Sequence, residues 1–273
     1  MLIPKPMPAL RLQNFNTLTK TLGFNSYDIA YIPTPAQQER YLGYINEAYN
    51  AQRLTDILSH VAELIGAHIL NIARQDYEPN GASVTLLLSE APVVSNTLSH
   101  SQPPGPQSEA VICHLDKSHI TVHTYPENQP DQGINTFRVD IDISTCGRIS
   151  PLVALNYLMQ SFSGDIVTLD YRVRGFARDV NGNKSFIDHP IHSIQDYLSA
   201  DIGERYQRTD VKLDQERLFH TRMLRKDLDL NDHLFGLDKE DMPLRETAAI
   251  ERRLRREMVE IFHGENSPTD LQI

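Results

Sequence analysis

The alternation of apolar and polar residues along the chain predicts β-strands. The clearest case is residues 136–143, where Phe137 and every second residue after it are apolar, and the residues between them are polar or charged. Because successive side chains of a strand point to opposite faces of its sheet, this pattern indicates a strand with one buried face. Apolar segments bounded by turn residues predict further strands at 25–32, 67–77, 82–89 and 165–174.

Apolar residues three or four positions apart predict helices. Residues 37–65 have a helical pattern, and an apolar stripe runs from Leu54 to Ile65 and ends at Gly66, a residue type that commonly terminates helices. A break near Asn50 predicts two helices here rather than one. A later helix begins at Ser150-Pro151, with serine as the cap and proline in the first turn. Strands joined by short turns, with helices between the groups, predict an α+β fold. We expect a two-layer α/β sandwich, with helices on one face of a mostly antiparallel sheet.

The C-terminal part of the chain has a different character. Residues 219–236 and 244–262 are charged and have a helical pattern of apolar positions. We therefore expect a main domain over residues 1–198 and a helical C-terminal extension over residues 199–273. The extension carries a basic cluster around Arg253, for which a solvated helix face is a better interpretation than a nucleic-acid surface.

Composition narrows the functional classes. The formal net charge is −10, so nucleic acid is not an expected partner. No run of about 18 apolar residues exists, which predicts no membrane span, and prolines near the N-terminus disfavour a signal peptide. The two cysteines, Cys113 and Cys146, form no Cys-x-x-Cys pair. These features predict a cytoplasmic protein with reduced thiols.

Residues 114–127 concentrate reactive side chains in a segment that otherwise has a strand pattern. Three histidines, an aspartate, a lysine and a serine fall within ten positions of one another. Apolar residues occupy odd positions up to Leu115 and even positions from Ile120. Because a strand alternates its faces, the chain must change face near residues 116–118, by a bulge, a tight turn or a break.

The three histidines of this segment do not have the spacing of a metal site. His114, His119 and His123 are separated by five and then four residues, which fits neither a helical pair nor a zinc-finger pattern. His119 and His123 share a strand face but lie about 13 Å apart in an extended chain. A zinc site is therefore not expected, and the sequence shows no acidic cluster that would mark a site for another ion.

Two runs in this segment are Asp116-Lys117-Ser118-His119 and Val122-His123-Thr124-Tyr125-Pro126-Glu127. They resemble the self-cleavage site of bacterial S-adenosylmethionine decarboxylase proenzymes of the longer type. Three further runs support the resemblance: Asn71-Ile72-Ala73-Arg74-Gln75-Asp76-Tyr77-Glu78-Pro79, Ser144-Thr145-Cys146-Gly147, and Asp170-Tyr171-Arg172-Val173-Arg174-Gly175-Phe176. The resemblance extends from about Phe15 to near the C-terminus and weakens after Tyr197.

The resemblance implies that the chain cuts itself between Lys117 and Ser118. The products would be a beta chain of residues 1–117 and an alpha chain of residues 118–273. Ser118 would become a pyruvoyl group, a covalent cofactor that forms a Schiff base with the substrate amine and accepts electrons as CO2 leaves. From the residues alone, a serine in a surface turn is the plainer interpretation.

The resemblance also assigns a role to His123. It would be the proton acceptor in processing, because the proton affinity of histidine lies near working pH. Five residues of extended strand, however, span about 16 Å and change face. His123 therefore reaches Ser118 only if the chain turns between them or another segment brings them together. A histidine hydrogen-bonded within the sheet is the alternative.

The resemblance makes Cys146 the proton donor in catalysis. A thiol just before a helix would feel the positive end of the helix dipole, which lowers its pKa. Without the resemblance, Cys146 is better interpreted as a small residue in a strand-to-helix turn. Cys113 falls in the apolar phase of its strand, and core packing is its expected role.

The implied enzyme is a lyase that converts S-adenosyl-L-methionine to S-adenosylmethioninamine and CO2, supplying aminopropyl groups for spermidine synthesis. A pyruvoyl decarboxylase of another amino acid and a regulatory homologue that never matures remain as alternatives. The implied assembly is a heterooctamer of four alpha and four beta chains, with magnesium at an unknown site as a further cofactor. The sequence lacks a Gly-rich nucleotide loop, so the adenine would stack on aromatic rings. The candidates are Tyr27, Tyr31, Tyr77 and Phe176.

Overall fold

The computed structural model describes residues 12–90, 118–129 and 132–266. Within these residues the main sheet has eight strands, each antiparallel to its neighbours. In spatial order they are β10 (Tyr206–Leu213), β11 (Leu218–Arg225), β7 (Ile166–Arg174), β2 (Thr19–Tyr31), β6 (Ile134–Cys146), β5 (Ser118–Pro126), β4 (Ala82–Ser89) and β3 (His68–Asp76). A small separate sheet joins β1 (Leu12–Asn16), β8 (Ala177–Asp179) and β9 (Lys184–Ser185).

One face of the main sheet is covered by helices and holds the larger apolar core. The helices are α1 (Pro35–Ala48), α2 (Ala51–Leu64) and α3 (Leu155–Phe162). Thr34 and Asn50 cap α1 and α2, because their side chains accept hydrogen bonds from backbone N–H groups of the first turn. Leu54 and Leu58 of the apolar stripe of α2 are fully buried, and each contributes about 1.5–3 kcal/mol, whereas Leu64 at the end of the helix is exposed.

In the described part of the chain, the opposite face of the sheet is covered mainly at one end. Two C-terminal helices, α5 (Leu230–His233) and α6 (Leu244–His263), form a second apolar cluster there with β2, β6 and β7. A short helix, α4 (Ala200–Arg205), precedes β10. Towards β5 this face carries partly exposed polar side chains such as Thr121 and His123. This face of the sheet is therefore polar around β5. Among the described residues, the apolar cluster of α5 and α6 includes no residue of β5.

The predicted α+β fold, with a mostly antiparallel sheet and a C-terminal helix, is confirmed. The helical interpretation of residues 219–236 is wrong for its first half, because Leu218–Arg225 is strand β11. Phe219, Thr221 and Met223 form the buried face of this strand. Because Thr221 is polar, the alternation of apolar and polar residues that marks a strand is not visible in the sequence. Residues 199–273 therefore extend the sheet before they end in α6, and the domain boundary at residue 198 stays a prediction.

The sequence predicts no membrane span. None of the described helices is both long and apolar enough to cross a membrane.

A cluster of charged side chains fastens the C-terminal part of the chain to the sheet. Asp165 precedes β7 and is 1% exposed, and its carboxylate contacts Arg225 of β11 at 3.1 Å and His233 of α5 at 3.2 Å. Burial and the charge of Asp165 raise the pKa of Asp28, on β2, to about 7. Burial alone would lower the pKa of His233, but the hydrogen bond and charge of Asp165 outweigh it and raise the pKa.

Replacing Asp28 with asparagine is expected to stabilise the protein above pH 7. The pKa of Asp28 is about 7 in the folded protein against an ordinary value of 3.8. Its contribution to stability is therefore complete below about pH 4 and is lost as the pH rises through 7. The raised pKa of His233 acts in the same direction. Thermal unfolding between about pH 5 and pH 9 measures the effect.

The unfolding temperature of the wild type should fall as the pH rises from about 5 through 7, and Asp28→Asn should flatten that fall. Asp56→Asn changes an exposed carboxylate of α2 and serves as the control. A curve for Asp28→Asn that runs parallel to the wild-type curve would contradict the assignment.

Candidate active site

At one end of the sheet, a terminus of β5, a terminus of β6 and a terminus of β2 lie side by side. β5 begins at Ser118, β6 ends at Cys146 and β2 begins at Thr19. In the antiparallel register His119 pairs with Ser144, and Thr19 pairs with Cys146. The sheet therefore brings Ser118 and Cys146 together, although 28 positions separate them in the sequence.

A hydrogen bond joins these two predicted site residues. The backbone N–H of Cys146 donates to Oγ of Ser118 at 3.1 Å. Ser118 is 6% exposed, and Leu88 of β4 is its partner on the other side. The hydroxyl is thus held in place with little access to water. Lys117, Cys113 and His114 lie outside the described residues.

The chain turns directly after Cys146, and the turn depends on a glycine. Gly147 has a φ of +67°, a backbone conformation that favours glycine, and its N–H donates to the carbonyl oxygen of Leu18 at 3.0 Å. Nζ of Lys20 donates to the Gly147 carbonyl oxygen at 3.1 Å and to Asp188 at 2.6 Å. The Lys20 side chain is 1% exposed, so this ion pair lies inside the protein.

The sequence interpretation missed both Lys20 and Asp188. A signal for Lys20 was present, because it shares the phase of Leu22 and Phe24 along the chain. A lysine in an apolar phase predicts a buried charge with a partner. No pattern indicated Asp188, which lies in a loop 168 positions away.

His123 lies on a different part of β5. Its Nδ1 is 3.2 Å from the hydroxyl of Tyr77, and its neighbours across the sheet are Ser83 and Asp140. Ser118 is in the buried phase of the strand, whereas His123 is in the partly exposed phase. Five residues of strand also span about 16 Å. The structure therefore does not bring His123 to Ser118 within one chain, and its role in processing stays a prediction.

The four aromatic candidates for an adenine contact lie at different places. Tyr31 is buried in the cluster under the C-terminal helices. Tyr27 lies beside Arg138, and Tyr77 contacts His123 beyond the end of β3. Phe176 follows β7, and its carbonyl accepts a hydrogen bond from the N–H of Thr17 at 3.0 Å, just before β2 begins. Phe176 is thus the candidate at the same end of the sheet as Ser118 and Cys146.

Residues 12–90, 118–129 and 132–266 contain no group of three or more His, Cys, Asp or Glu side chains placed to hold an ion.

The chain is similar in sequence to proteins of one family. A family model described as S-adenosylmethionine decarboxylase matches residues 44–175. A relative from Halorhodospira halophila is 58% identical over 266 residues, which cover 97% of this chain and 98% of the relative. Another from Azotobacter vinelandii is 59% identical over 259 residues, covering 95% and 98%. Both are named S-adenosylmethionine decarboxylase proenzyme.

Solved structures give weaker matches. The adenosylmethionine decarboxylase of Aquifex aeolicus aligns with a TM-score of 0.33 and 15% identity, over 58% of this chain and 90% of that one. The enzyme of Trypanosoma brucei aligns with a TM-score of 0.35 and 12% identity, over 76% and 66%.

Gly175→Ala is expected to destabilise this end of the sheet more than Gly182→Ala does. Both glycines have a positive φ, +80° and +84°, so both variants carry a backbone strain of about 1–2 kcal/mol. A Cβ on Gly175 would also lie 2.2 Å from the carbonyl oxygen of Thr17, whereas a Cβ on Gly182 meets nothing within 4 Å. Overpacking adds about 1–3 kcal/mol. Denaturant unfolding of the two variants measures the difference, and equal losses of stability would contradict the predicted contact.

Proposed function

The chain belongs to the S-adenosylmethionine decarboxylase family, and on that premise we propose how its residues perform the reaction. It is a pyruvoyl-dependent lyase that converts S-adenosyl-L-methionine to S-adenosylmethioninamine and CO2. The product supplies aminopropyl groups for spermidine synthesis. The relatives' shared name favours this activity over the two alternatives, a decarboxylase of another amino acid and a regulatory homologue that never matures.

The observation that carries the residue assignment is the hydrogen bond from the Cys146 N–H to Oγ of Ser118. We propose that Ser118 is the source of the pyruvoyl group and that the chain is cut between Lys117 and Ser118. The described residues fit this assignment, because Ser118 is nearly buried and its hydroxyl is held by a backbone N–H. When formed, the pyruvoyl group supplies an electrophilic carbonyl that accepts electrons as CO2 leaves.

Ser118 acts in processing as the nucleophile. Its Oγ attacks the carbonyl carbon of Lys117, and the amide C–N bond breaks as the ester forms and frees the Ser118 amine. Removal of the Ser118 α-proton then expels the Lys117 carboxylate and leaves dehydroalanine, which water hydrolyses to the pyruvoyl group with release of ammonia. The Cys146 N–H fixes the orientation of the hydroxyl. Burial of Ser118 keeps water away, so elimination can proceed before the ester is hydrolysed.

Cys146 acts in turnover as the proton donor. Its backbone is bonded to Ser118, and its side chain is partly exposed at the same end of the sheet. A substrate held at residue 118 would therefore place its reacting carbon near this thiol. A positioned thiol can deliver a proton to the carbon that loses CO2.

Paired variants are expected to separate processing from turnover. Ser118→Ala should leave a single 31.1 kDa chain, because the nucleophile is gone. Cys146→Ser should be cut normally but should turn over at least about 100-fold more slowly, within the range for loss of a general acid. The denatured mass and a CO2-release assay with S-adenosylmethionine, arginine and aspartate measure both. Cleavage of Ser118→Ala, or full activity of Cys146→Ser, would contradict the assignments.

The distance between His123 and Ser118 requires a further proposal. We propose that His123 of a second copy of the chain serves Ser118 in processing. Within one chain the two residues lie about 16 Å apart along β5 and on opposite faces. The polar face around His123 is not packed by α5 or α6, so it is available to a second sheet. A two-fold contact would bring each His123 towards the other copy's Ser118 end.

Co-expression of two inactive precursors tests this arrangement. His123→Ala alone should stay uncut, and Ser118→Ala alone cannot be cut. Co-expressed, the Ser118→Ala chain supplies an intact histidine, so the His123→Ala chain should be cut. Different affinity tags identify the fragments in the denatured mass spectrum. A His123→Ala chain that remains uncut in the mixture would show that the histidine acts within its own chain, and one that is cut alone would remove its role.

The remaining features rest on the family resemblance. We propose a heterooctamer of four alpha and four beta chains, for which the contact between copies gives one interface. A cytoplasmic location agrees with the low cysteine content of the sequence, which has two cysteines and no Cys-x-x-Cys pair. Magnesium is proposed as a stimulating ion. Phe176 is proposed as the adenine contact, because it is the one candidate of the four at the Ser118 end.

A further inference from the structure

A lysine lies inside the protein next to the candidate active site. Lys20 of β2 is 1% exposed and faces the helix-covered side of the sheet, in phase with Leu22 and Phe24. A buried ammonium group costs several kcal/mol unless it is paired and hydrogen-bonded. Lys20 has two such partners, the carbonyl oxygen of Gly147 at 3.1 Å and Oδ2 of Asp188 at 2.6 Å.

Asp188 links Lys20 to further polar side chains. Its Oδ1 lies 2.7 Å from Nδ1 of His189, and Nε2 of His189 lies 3.0 Å from the hydroxyl of Tyr171. Burial would raise the pKa of Asp188, but hydrogen bonds from His189 and Lys20 outweigh it and hold the pKa below its ordinary value. Asp188 is therefore ionised at neutral pH, and the charge of Lys20 is compensated.

The other partner of Lys20 belongs to the turn that carries Cys146. Three backbone groups of this turn are each held by a different residue. The Cys146 N–H is bonded to Ser118, the Gly147 N–H to Leu18, and the Gly147 carbonyl to Lys20. Ser118 belongs to the adjacent strand β5, and Leu18 directly precedes β2. Of the three hydrogen bonds, the one from Lys20 is made by a charged side chain. Asp188 compensates that charge, so the position of the Lys20 ammonium group depends on Asp188.

We propose that Lys20 and Asp188 are positioning residues that hold the Cys146–Gly147 turn against the Ser118 hydroxyl. The inference rests on the proposed roles of Ser118 and Cys146. It means that the rate of self-cleavage and the turnover number depend on the buried pair. The Michaelis constant does not, because both side chains are buried, at 1% and 11% exposure, and are bonded to the turn and to each other.

The experiment compares three variants of the full chain. Lys20→Met removes the charge but keeps a long side chain, and it leaves Asp188 without its lysine. Lys20→Met/Asp188→Leu removes both charges, so no unpaired charge remains in the core. Lys212→Met breaks the exposed Lys212–Asp214 pair and is the matched control. Precursor cleavage is followed by denatured mass, stability by thermal unfolding, and turnover by CO2 release.

Lys20→Met is expected to be less stable and to be cut about 10- to 100-fold more slowly, the loss that a small misplacement of reacting groups produces. The double variant should recover most of the unfolding temperature but not the cleavage rate. Its cleaved fraction should show a kcat lower by a similar factor, with KM changed less than about twofold. Lys212→Met should behave as the wild type.

Wild-type cleavage rate and kcat in the double variant would overturn the inference, because the pair would then serve stability alone. A raised KM with unchanged kcat would also overturn it. These outcomes differ from a failure of the proposed function, in which the wild-type chain itself would remain uncut. If Lys20→Met does not fold, the double variant still decides the question.

Discussion

The antiparallel register between β5 and β6 is the constraint on which the candidate site depends. Because His119 pairs with Ser144, the first residue of β5 meets the last residue of β6, and the Cys146 N–H reaches the Ser118 hydroxyl. A shift of one residue would turn Ser118 to the other face of the sheet. The helix-covered core opposes such a shift, since it would also expose Ile120 and Val122, which are fully buried.

Much of this arrangement was accessible from the sequence. Alternation predicted the strands and, by parity alone, placed Ser118 and His123 on opposite faces. The family motifs pointed to Ser118 and Cys146. The register was not accessible, because it is set by packing between segments far apart in the chain. Strand β11 was missed since Thr221 interrupts its apolar phase. Lys20 carried a readable signal, but its partner Asp188 is 168 positions away and had none.

The sheet has a cluster of buried charged side chains at each end, and the two clusters have different roles. At the Ser118 end, Lys20 and Asp188 form an ion pair that holds a turn. At the other end, Asp165 contacts Arg225 and His233, and burial and the charge of Asp165 raise the pKa of the nearby Asp28 to about 7. The first arrangement serves the site, and the second attaches the C-terminal helices. Both bury charge at a cost in solvation, which close hydrogen-bonded partners offset.

The strand order has a consequence for the mature molecule. β2, β3 and β4 belong to residues 1–117, whereas β5, β6, β7, β10 and β11 belong to residues 118–273. In the sheet β2 lies between β7 and β6, so the two pieces are interleaved. The proposed cut between Lys117 and Ser118 would break one covalent bond and leave every strand pairing of the described residues intact. The two fragments would then stay together as one folded body. That body would assemble most readily while still a single chain, because a covalent bond then joins the two pieces.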